Sequence, residues 1–329
     1  MPPSGGVLPL LRVSKLSVTY TSNQHAVPVL RELNLDISAG EIIGVLGESG
    51  CGKSTLATSL LRLLPSGTDV KGKILFQGQD ILHHNQTQLR SIRGAKISLI
   101  HQDPGLALSP VMRVGEQISE VIRAHSTLDR KARRREVEQI LSDVQLPEID
   151  RIYNAYPHQL SGGELHRVAI AQAVACRPAL VIADESTRSL DLRTQAEILG
   201  LLADLNRRLR TAILFITHNP ALLAGFAHRV VVMYAGHIVE EGSTAEVFRH
   251  PLHPYTDGLL LLVPRALRDS ASQKLMPVIP GGPPELNLIA QSCAFEPRCT
   301  QRMPVCRTES PEEIFPEKDH RVSCFIYEH

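Results

Sequence analysis

The chain has 329 residues, of which 43% are hydrophobic and 21% are charged, and its formal net charge is +1 at pH 7. This length allows one large or two smaller domains, and the composition is that of an ordinary globular protein. The near-zero net charge excludes a general electrostatic attraction to nucleic acid, and no apolar run approaches the ~18 residues that a transmembrane helix needs.

The first part of the chain predicts two strands, then a strand, a loop and a helix. Alternating apolar residues at 11–20 and 30–37 predict half-exposed antiparallel strands. The apolar run 41–46 predicts a buried strand, and leucines at helical spacing predict a helix over 54–64. The segment between them reads Gly47-Glu48-Ser49-Gly50-Cys51-Gly52-Lys53-Ser54-Thr55.

This segment fits the phosphate-loop pattern G-x-x-x-x-G-K-[ST] at every fixed position and predicts a nucleotide site over all nine residues. Glycines let backbone N–H groups turn toward phosphate oxygens, and the following helix points its positive end at the same anion. Lys53 would place a charge on the outer phosphates, and Ser54 would offer a hydroxyl to Mg²⁺. The alternative is a glycine-rich turn that contains Lys-Ser by chance, and the flanking strand and helix argue against it.

Strands and helices alternate in the rest of the first 245 residues. Further strands are predicted at 73–78, 97–100, 179–183 and 213–216, with a hairpin at 230–240. Helices are predicted at 114–125, 131–144, 164–176 and 194–209. The pattern predicts an α/β fold. Its parts are a mostly parallel P-loop sheet core, an N-terminal antiparallel β subdomain, an inserted helical subdomain over about 103–160, and a loop-rich C-terminal extension.

Two carboxylates, Asp184 and Glu185, directly follow the buried strand 179–183, where a core has no need of them. P-loop nucleotidases hold Mg²⁺ indirectly at such a strand end, so Asp184 is the predicted Mg²⁺-side carboxylate. Phosphoryl transfer asks a protein for positioning and charge stabilisation, and Glu185 is predicted to orient and polarise the attacking water.

Leu160-Ser161-Gly162-Gly163 resembles the signature loop of ABC-transporter ATPase subunits, and it lies between the phosphate loop and the carboxylates as in that family. Tyr20 resembles the aromatic residue that stacks on adenine. Gln102 resembles the glutamine that touches Mg²⁺ and senses the permease. The remaining family motifs are matched by Ser189-Leu190-Asp191, which resembles the D-loop, and by His218, which resembles the switch histidine that contacts the γ-phosphate.

The resemblance is closest to the dipeptide/oligopeptide importers. It extends to four further segments: Tyr156-Pro157-His158-Gln159-Leu160, Ala175-Cys176-Arg177-Pro178, Met233-Tyr234-Ala235-Gly236 and His253-Pro254-Tyr255-Thr256. It implies an ATPase that uses ATP and Mg²⁺ to drive the import of peptides, or of nickel or another small solute. The implied partners are two membrane permease subunits, a second ATPase subunit that is identical or homologous, and, indirectly, an external solute-binding protein.

The same resemblance implies that Ser161, Gly162 and Gly163 act in trans on the nucleotide of the facing subunit. It implies a peripheral location on the cytoplasmic face of the inner membrane, and the N-terminus lacks the regions of a signal peptide, as a cytosolic chain would. The sequence departs from the family at Ser186, where proline is usual, and at Arg188. The alternative is an ABC ATPase that moves no solute, but such chains usually carry two motif sets or long coiled-coil insertions, and neither is present.

Four of the six cysteines, namely Cys293, Cys299, Cys306 and Cys324, lie in the predicted extension 246–329, in which Pro264 and Pro277 mark a linker and a loop-rich appendage. Such a segment has little apolar content, so a bound metal is a reasonable source of its stability. Four thiolates suit zinc or an iron–sulfur cluster, and the spacing matches neither zinc ribbons nor ferredoxins. The resemblance to importer subunits favours a [4Fe–4S] cluster over zinc, with unliganded thiols as the third possibility.

Overall fold

The structure is a computed structural model that describes residues 8–22, 25–188, 190–261, 279–282, 284 and 292–328. Ser189 of the predicted D-loop and the linker residues Pro264 and Pro277 lie outside the described residues. The chain divides into two compact units, and the division falls within strands. Unit 1 comprises Met1–Asp36, Ile43–Leu82 and Ile216–His329, and unit 2 comprises Ile37–Ile42 and His83–Phe215.

The strands of the described residues follow in chain order. They are β1 (Leu11–Ser22), β2 (His25–Ile37), β3 (Ile42–Leu46), β4 (Asp69–Phe76), β5 (Gln79–Asp80), β6 (Ile97–Ile100), β7 (Leu180–Asp184), β8 (Ala212–Thr217), β9 (Arg229–Tyr234), β10 (His237–Ser243), β11 (Ile314–Glu317) and β12 (His320–Val322). The helices are α1 (Lys53–Leu60), α2 (Gln86–Ile92), α3 (Pro104–Ala107), α4 (Val114–His125), α5 (Arg130–Asp143), α6 (Ile149–Asn154), α7 (Gly162–Val174), α8 (Leu192–Leu209), α9 (Thr244–Arg249) and α10 (Pro254–Leu260).

Unit 1 contains an antiparallel sheet of order β2-β1-β4-β5, which is the predicted N-terminal β subdomain. It also contains strands in the order β11-β12-β10-β9-β3. Strand β3 runs parallel to β9, and all five of its residues are buried. An uninterrupted buried strand of this kind is typical of a parallel sheet that is covered on both faces. The apolar run therefore forms the buried strand that the sequence predicts ahead of the phosphate loop.

Unit 2 contains strands in the order β8-β7-β6, with β6 and β7 parallel, together with a group of packed helices. Helices α4, α5, α6 and α7 contact one another. Helix α4 coincides with the predicted span 114–125, because its apolar residues recur at helical spacing and are buried together. Helix α5 begins where Asp129 caps it by accepting a hydrogen bond from the Ala132 N–H at 2.7 Å. The α/β class and the helical insertion agree with the sequence analysis, while the exact domain boundaries stay predictions.

The C-terminal extension contains more regular structure than the loop-rich segment that the sequence predicts. Strands β11 and β12 form a hairpin, and β12 pairs with β10 in antiparallel register, with Glu240 opposite Val322. No helix in the described part of the chain is both long enough and apolar enough to cross a bilayer.

A buried carboxylate joins the extension to β10. Glu240 accepts hydrogen bonds from the backbone N–H groups of Leu252 and His253, each at 2.8 Å, and its Oε1 lies 2.8 Å from His320 Nε2. Burial lowers the pKa of His320, but the hydrogen bond and the charge of Glu240 outweigh burial and raise it overall. A buried charge is stable only when it is paired and hydrogen-bonded, and this carboxylate meets both conditions.

Candidate nucleotide site

The phosphate loop begins after β3 and ends as α1 starts, and the two glycines that the motif fixes cannot be replaced without strain. Gly52 is the N-cap residue of α1 and has a φ of +106°, a backbone conformation that residues with a side chain rarely adopt. A Cβ on Gly47 would lie 2.4 Å from the backbone oxygen of Met233. The backbone can therefore follow this path only with glycine at both positions, as the motif requires.

Lys53 is buried in the loop that it belongs to. Its ammonium donates hydrogen bonds to the backbone oxygens of Gly47 and Glu48, each at 2.8 Å. A phosphate oxygen carries a full charge and is a stronger acceptor than a peptide carbonyl. The ammonium can thus exchange the loop carbonyls for a phosphate without leaving the loop.

The predicted adenine-stacking residue lies beside this loop. The Tyr20 hydroxyl donates a hydrogen bond to Thr55 Oγ1 at 3.3 Å, and Tyr20 is half-buried. This contact links β1 to the first turn of α1, so the structure brings together two residues that lie 35 positions apart. Within unit 1, Ser54 is exposed next to Lys53, and His218, the first residue after β8, is also exposed.

In unit 2, Asp184 is the last residue of β7, Glu185 directly follows it, and Gln102 follows β6. The two strands are parallel, with Ile100 opposite Ala183. Because the carboxyl ends of neighbouring parallel strands lie at one edge of a sheet, Gln102, Asp184 and Glu185 share that edge.

Glu185 has a strained backbone and an ion-pair partner that the sequence did not assign to it. Its φ is +44°, in the left-handed region that non-glycine residues rarely occupy. Its Oε2 accepts a hydrogen bond from Arg188 Nη1 at 3.1 Å. Arg188 is one of the positions where the sequence departs from the family that it resembles, and the structure places it against the candidate catalytic carboxylate of the same chain.

The predicted signature loop forms the exposed start of α7. The Ser161 hydroxyl accepts from the Glu164 N–H at 3.3 Å, and the Glu164 carboxylate accepts from the Ser161 N–H at 2.8 Å. Burial raises the pKa of Glu164, but hydrogen bonds from Ser161 and Arg151 lower it overall. This capping box orders the loop, while Ser161 and Gly162 stay accessible at a helix N-terminus, which favours anions.

Asp191 of the predicted D-loop caps α8. It accepts hydrogen bonds from the backbone N–H groups of Arg193 and Thr194, each at 3.0 Å, and these bonds lower its pKa. Thus unit 1 holds Tyr20, the phosphate loop and His218. Unit 2 holds the remaining candidates, which are Gln102, Ser161, Gly162, Gly163, Asp184, Glu185 and Asp191.

The sequence analysis missed two residues at the phosphate loop, Arg298 and Tyr255. Arg298 donates to both carboxylate oxygens of Glu48, and the Tyr255 hydroxyl accepts from the Glu48 N–H at 2.9 Å. They lie more than 200 positions from the loop along the chain. Tyr255 belongs to the segment His253-Pro254-Tyr255-Thr256 that resembles the importers, but no local pattern indicates that Tyr255 or Arg298 contacts the phosphate loop.

The four C-terminal cysteines influence one another electrostatically and are free thiols. Burial raises the pKa of Cys293 and of Cys324 to about 11, and the other cysteines of the group add to this rise. The Cys293 N–H also donates to the backbone oxygen of Cys306 at 3.1 Å. In the described residues no group of three or more His, Cys, Asp or Glu side chains is placed so as to hold a metal ion.

Two family models match this chain. The ABC transporter model matches residues 30–188, and the model of the oligopeptide/dipeptide transporter C-terminal region matches residues 239–306. The chain is 42% identical to the oligopeptide transport ATP-binding protein OppD of Escherichia coli, over 93% of this chain and 90% of that protein. It is 40% identical to the dipeptide transport ATP-binding protein DppD of Bacillus subtilis, over 96% of this chain and 94% of that protein.

Solved structures are also similar to this chain. The dimeric bacterial ABC transporter cassette MJ0796 superposes with a TM-score of 0.64 at 28% identity, and it covers 71% of this chain and 98% of that one. A second structure of that cassette, described as a post-hydrolysis state bound to ADP and Pi, matches with the same TM-score, identity and coverage.

Proposed function

This chain belongs to the ABC-transporter ATPase family, in its oligopeptide/dipeptide branch, and from that premise we propose that it is the ATP-hydrolysing subunit of a peptide importer. The observation that carries the proposal is the ordered phosphate loop around Lys53, in a chain that resembles named peptide-transport ATP-binding proteins over almost its whole length. The kinship with OppD and DppD favours di- or oligopeptides over nickel as the solute, and over an ATPase that moves none.

The proposed ATP hydrolysis uses residues of the phosphate loop, Tyr20, and residues at the carboxyl ends of β6, β7 and β8. Lys53 and the loop amides bind the phosphates, and Tyr20 stacks on the base. Ser54, Gln102 and Asp184 are the residues that would hold Mg²⁺, and when bound the ion would supply positive charge to the transferred phosphoryl group. Glu185 polarises the attacking water, and His218 contacts the γ-phosphate.

Hydrolysis becomes transport only if the subunit changes its contacts during the cycle. We infer that Ser161, Gly162 and Gly163 complete the nucleotide site of a facing ATPase subunit, while Asp191 lies at that seam. ATP then favours the closed pair and hydrolysis releases it. The dimeric form of the similar cassette MJ0796 supports this arrangement. The helical insertion that Gln102 precedes would contact two permease subunits, with this chain peripheral on the cytoplasmic face of the membrane and an external binding protein delivering the solute.

Replacing Lys53 with Ala tests the proposal. The substitution removes a charge-assisted contact to phosphate, and such contacts contribute about 1.5–3 kcal/mol. We expect the affinity for Mg-ATP to fall roughly 10- to 150-fold, which titration calorimetry on the full chain measures.

The matched control is Lys71→Ala, at an exposed lysine that pairs with Asp69 at 3.4 Å outside the loop. It should leave the affinity unchanged. Equal ATP binding by the Lys53 variant and the wild type would contradict the assignment of the loop.

We also propose that Cys293, Cys299, Cys306 and Cys324 hold a [4Fe–4S] cluster, with zinc as the alternative. Four cysteine thiols in one segment are the donor type that such a cluster takes, although the described part of the structure does not place three of them so as to hold an ion. When bound, the group would cross-link the extension.

Purification of the full chain without oxygen distinguishes these possibilities. We expect bound iron and sulfide with absorbance near roughly 400 nm, and a lower thermal stability of the extension once the metal is removed. Replacing Cys299 with Ser should abolish the absorbance, while the same change at Cys176, which lies outside the group, should not. Stoichiometric zinc without iron would replace the cluster with the alternative, and a metal-free chain of unchanged stability would contradict both.

A further inference from the structure

A buried arginine from the cysteine-rich segment forms a hydrogen-bonded ion pair with the phosphate loop. Arg298 ends a 3₁₀ helix, Glu296–Arg298, and is only 6% exposed. Its Nη1 and Nη2 donate to the two carboxylate oxygens of Glu48 at 2.6 and 2.9 Å. Two parallel hydrogen bonds between a guanidinium and a carboxylate form a strong and directional pair, which a lysine cannot reproduce.

The guanidinium is itself held in place by three further acceptors. Its Nε donates to the backbone oxygen of Pro280 at 2.9 Å, and its terminal nitrogens reach the Gly281 backbone oxygen and the Tyr234 hydroxyl, each at 3.4 Å. The hydrogen bond to Glu48 is the main reason that the pKa of Arg298 is raised. The side chain is therefore fixed in one orientation and charged at every relevant pH.

A second contact fixes the backbone of the same loop residue. The Tyr255 hydroxyl accepts the hydrogen bond of the Glu48 N–H at 2.9 Å. The Tyr255 ring packs against the rings of Tyr234 and Phe295, with centroids 4.6 and 5.4 Å apart. Burial raises the pKa of Tyr255, so its hydroxyl stays neutral. Glu48 is thus held by its carboxylate and by its N–H.

We propose that Arg298 is a positioning residue of the ATP site. It acts through Glu48 to hold the phosphate loop in the conformation that binds a nucleoside triphosphate. The inference rests on the proposed binding of ATP by this loop. It explains how an acidic residue is tolerated in an anion-binding loop, because Arg298 neutralises the carboxylate. A loop that is ordered in advance also loses less conformational entropy when the nucleotide binds.

The test compares Mg-ATP affinity, KM and kcat for Arg298→Ala, Arg298→Lys and Glu48→Gln, in the full chain within its transporter complex. For Arg298→Ala we expect Kd and KM to rise roughly tenfold and kcat to change by less than about twofold. Arg298→Lys keeps the positive charge but cannot form the two parallel hydrogen bonds of a guanidinium. Its Kd and KM should therefore lie between those of Arg298→Ala and those of the wild type. Arg302→Ala is the matched control, because the ion pair that the structure describes for Arg302, in the same segment, is with Glu296 at 4.0 Å and not with the loop.

A double variant shows whether Arg298 acts through Glu48. Glu48→Gln leaves the contacts of Arg298 with Pro280 and Gly281 in place, so it weakens only the link to the loop. If the inference holds, the double variant Glu48→Gln/Arg298→Ala binds ATP no more weakly than Arg298→Ala alone. Hydrogen exchange of the loop amides in the nucleotide-free chain should be faster in Arg298→Ala and unchanged in Arg302→Ala.

The possible failures can be told apart. Additive effects in the double variant, or wild-type affinity and loop exchange in Arg298→Ala, would overturn the inference while the proposed function stands. A wild-type chain without affinity for ATP would overturn both. If Arg298→Ala fails to fold, Arg298→Lys and Glu48→Gln decide the question on the same measurements.

Discussion

Replacing Glu185 with Gln is expected to lower ATP turnover by about 10²- to 10⁴-fold while the affinity for Mg-ATP stays within about twofold of the wild type. The amide keeps the size of the side chain but no longer polarises a water as a base. The phosphate contacts of the loop do not involve this side chain. Steady-state turnover in the transporter complex and titration calorimetry of the same preparation measure the two effects separately.

The contact between Glu185 and Arg188 requires a control. Glu185→Gln also weakens the hydrogen bond that Arg188 Nη1 makes to Glu185 Oε2 at 3.1 Å. Arg188→Ala removes that contact and leaves the carboxylate, and because the arginine is exposed its ion pair contributes only about 0.2–1 kcal/mol. Turnover in Arg188→Ala should therefore remain within about fivefold of the wild type. If turnover in Glu185→Gln is unchanged, or Arg188→Ala matches its loss, Glu185 is not the catalytic carboxylate.

Local patterns sufficed for the elements that are set by short stretches of chain. Strand β6 occupies residues 97–100 as predicted, because a short and almost wholly buried run forms it, and α4 occupies 114–125, because its apolar residues recur at helical spacing. The phosphate loop was predictable because its function is carried by neighbouring residues. The family resemblance further indicated which polar residues to examine, and their individual roles stay predictions.

The structure of the C-terminal extension could not be predicted from local sequence patterns. Strand β11 includes Pro316 and lies at the end of the strand order, so it lacks the pattern of a central strand. The buried bond between Glu240 and His320 joins residues 80 positions apart, and the bond between Arg298 and Glu48 joins residues 250 apart. Such pairs depend on how distant segments meet, and a single sequence does not record that.

Replacing Gly162 with Asp is expected to abolish the ATP-dependent pairing of subunits. ATP turnover should fall about a hundredfold as a result, while the fold and stability of the single chain stay unchanged. A Cβ on Gly162 would have no heavy atom within 4 Å, and its φ lies outside the left-handed region. The fold of this chain therefore does not require glycine there. An aspartate in the first turn of a helix interacts favourably with the helix macrodipole and stabilises the helix by about 0.3–1 kcal/mol.

The closed pair would impose the restriction that the single chain lacks. If the γ-phosphate of the facing subunit approaches this helix N-terminus, a carboxylate at 162 would both fill the space and repel the phosphate. Gly200→Asp is the matched control, because Gly200 is exposed on α8 and a Cβ there also meets nothing within 4 Å. It should pair and hydrolyse ATP as the wild type does.

The measurement is most direct in a Glu185→Gln background, where bound ATP is consumed slowly and the closed pair should accumulate. Size-exclusion chromatography with Mg-ATP should then give a dimer for the Gly200 control and a monomer for the Gly162 variant, with equal thermal stability and equal ATP binding by each subunit. A Gly162 variant that still dimerises on ATP would place the signature loop outside the shared site. Since this glycine is dispensable to its own chain, its substitution separates a role in the fold from a role in the partner's site, which the mutation of a buried catalytic residue cannot do.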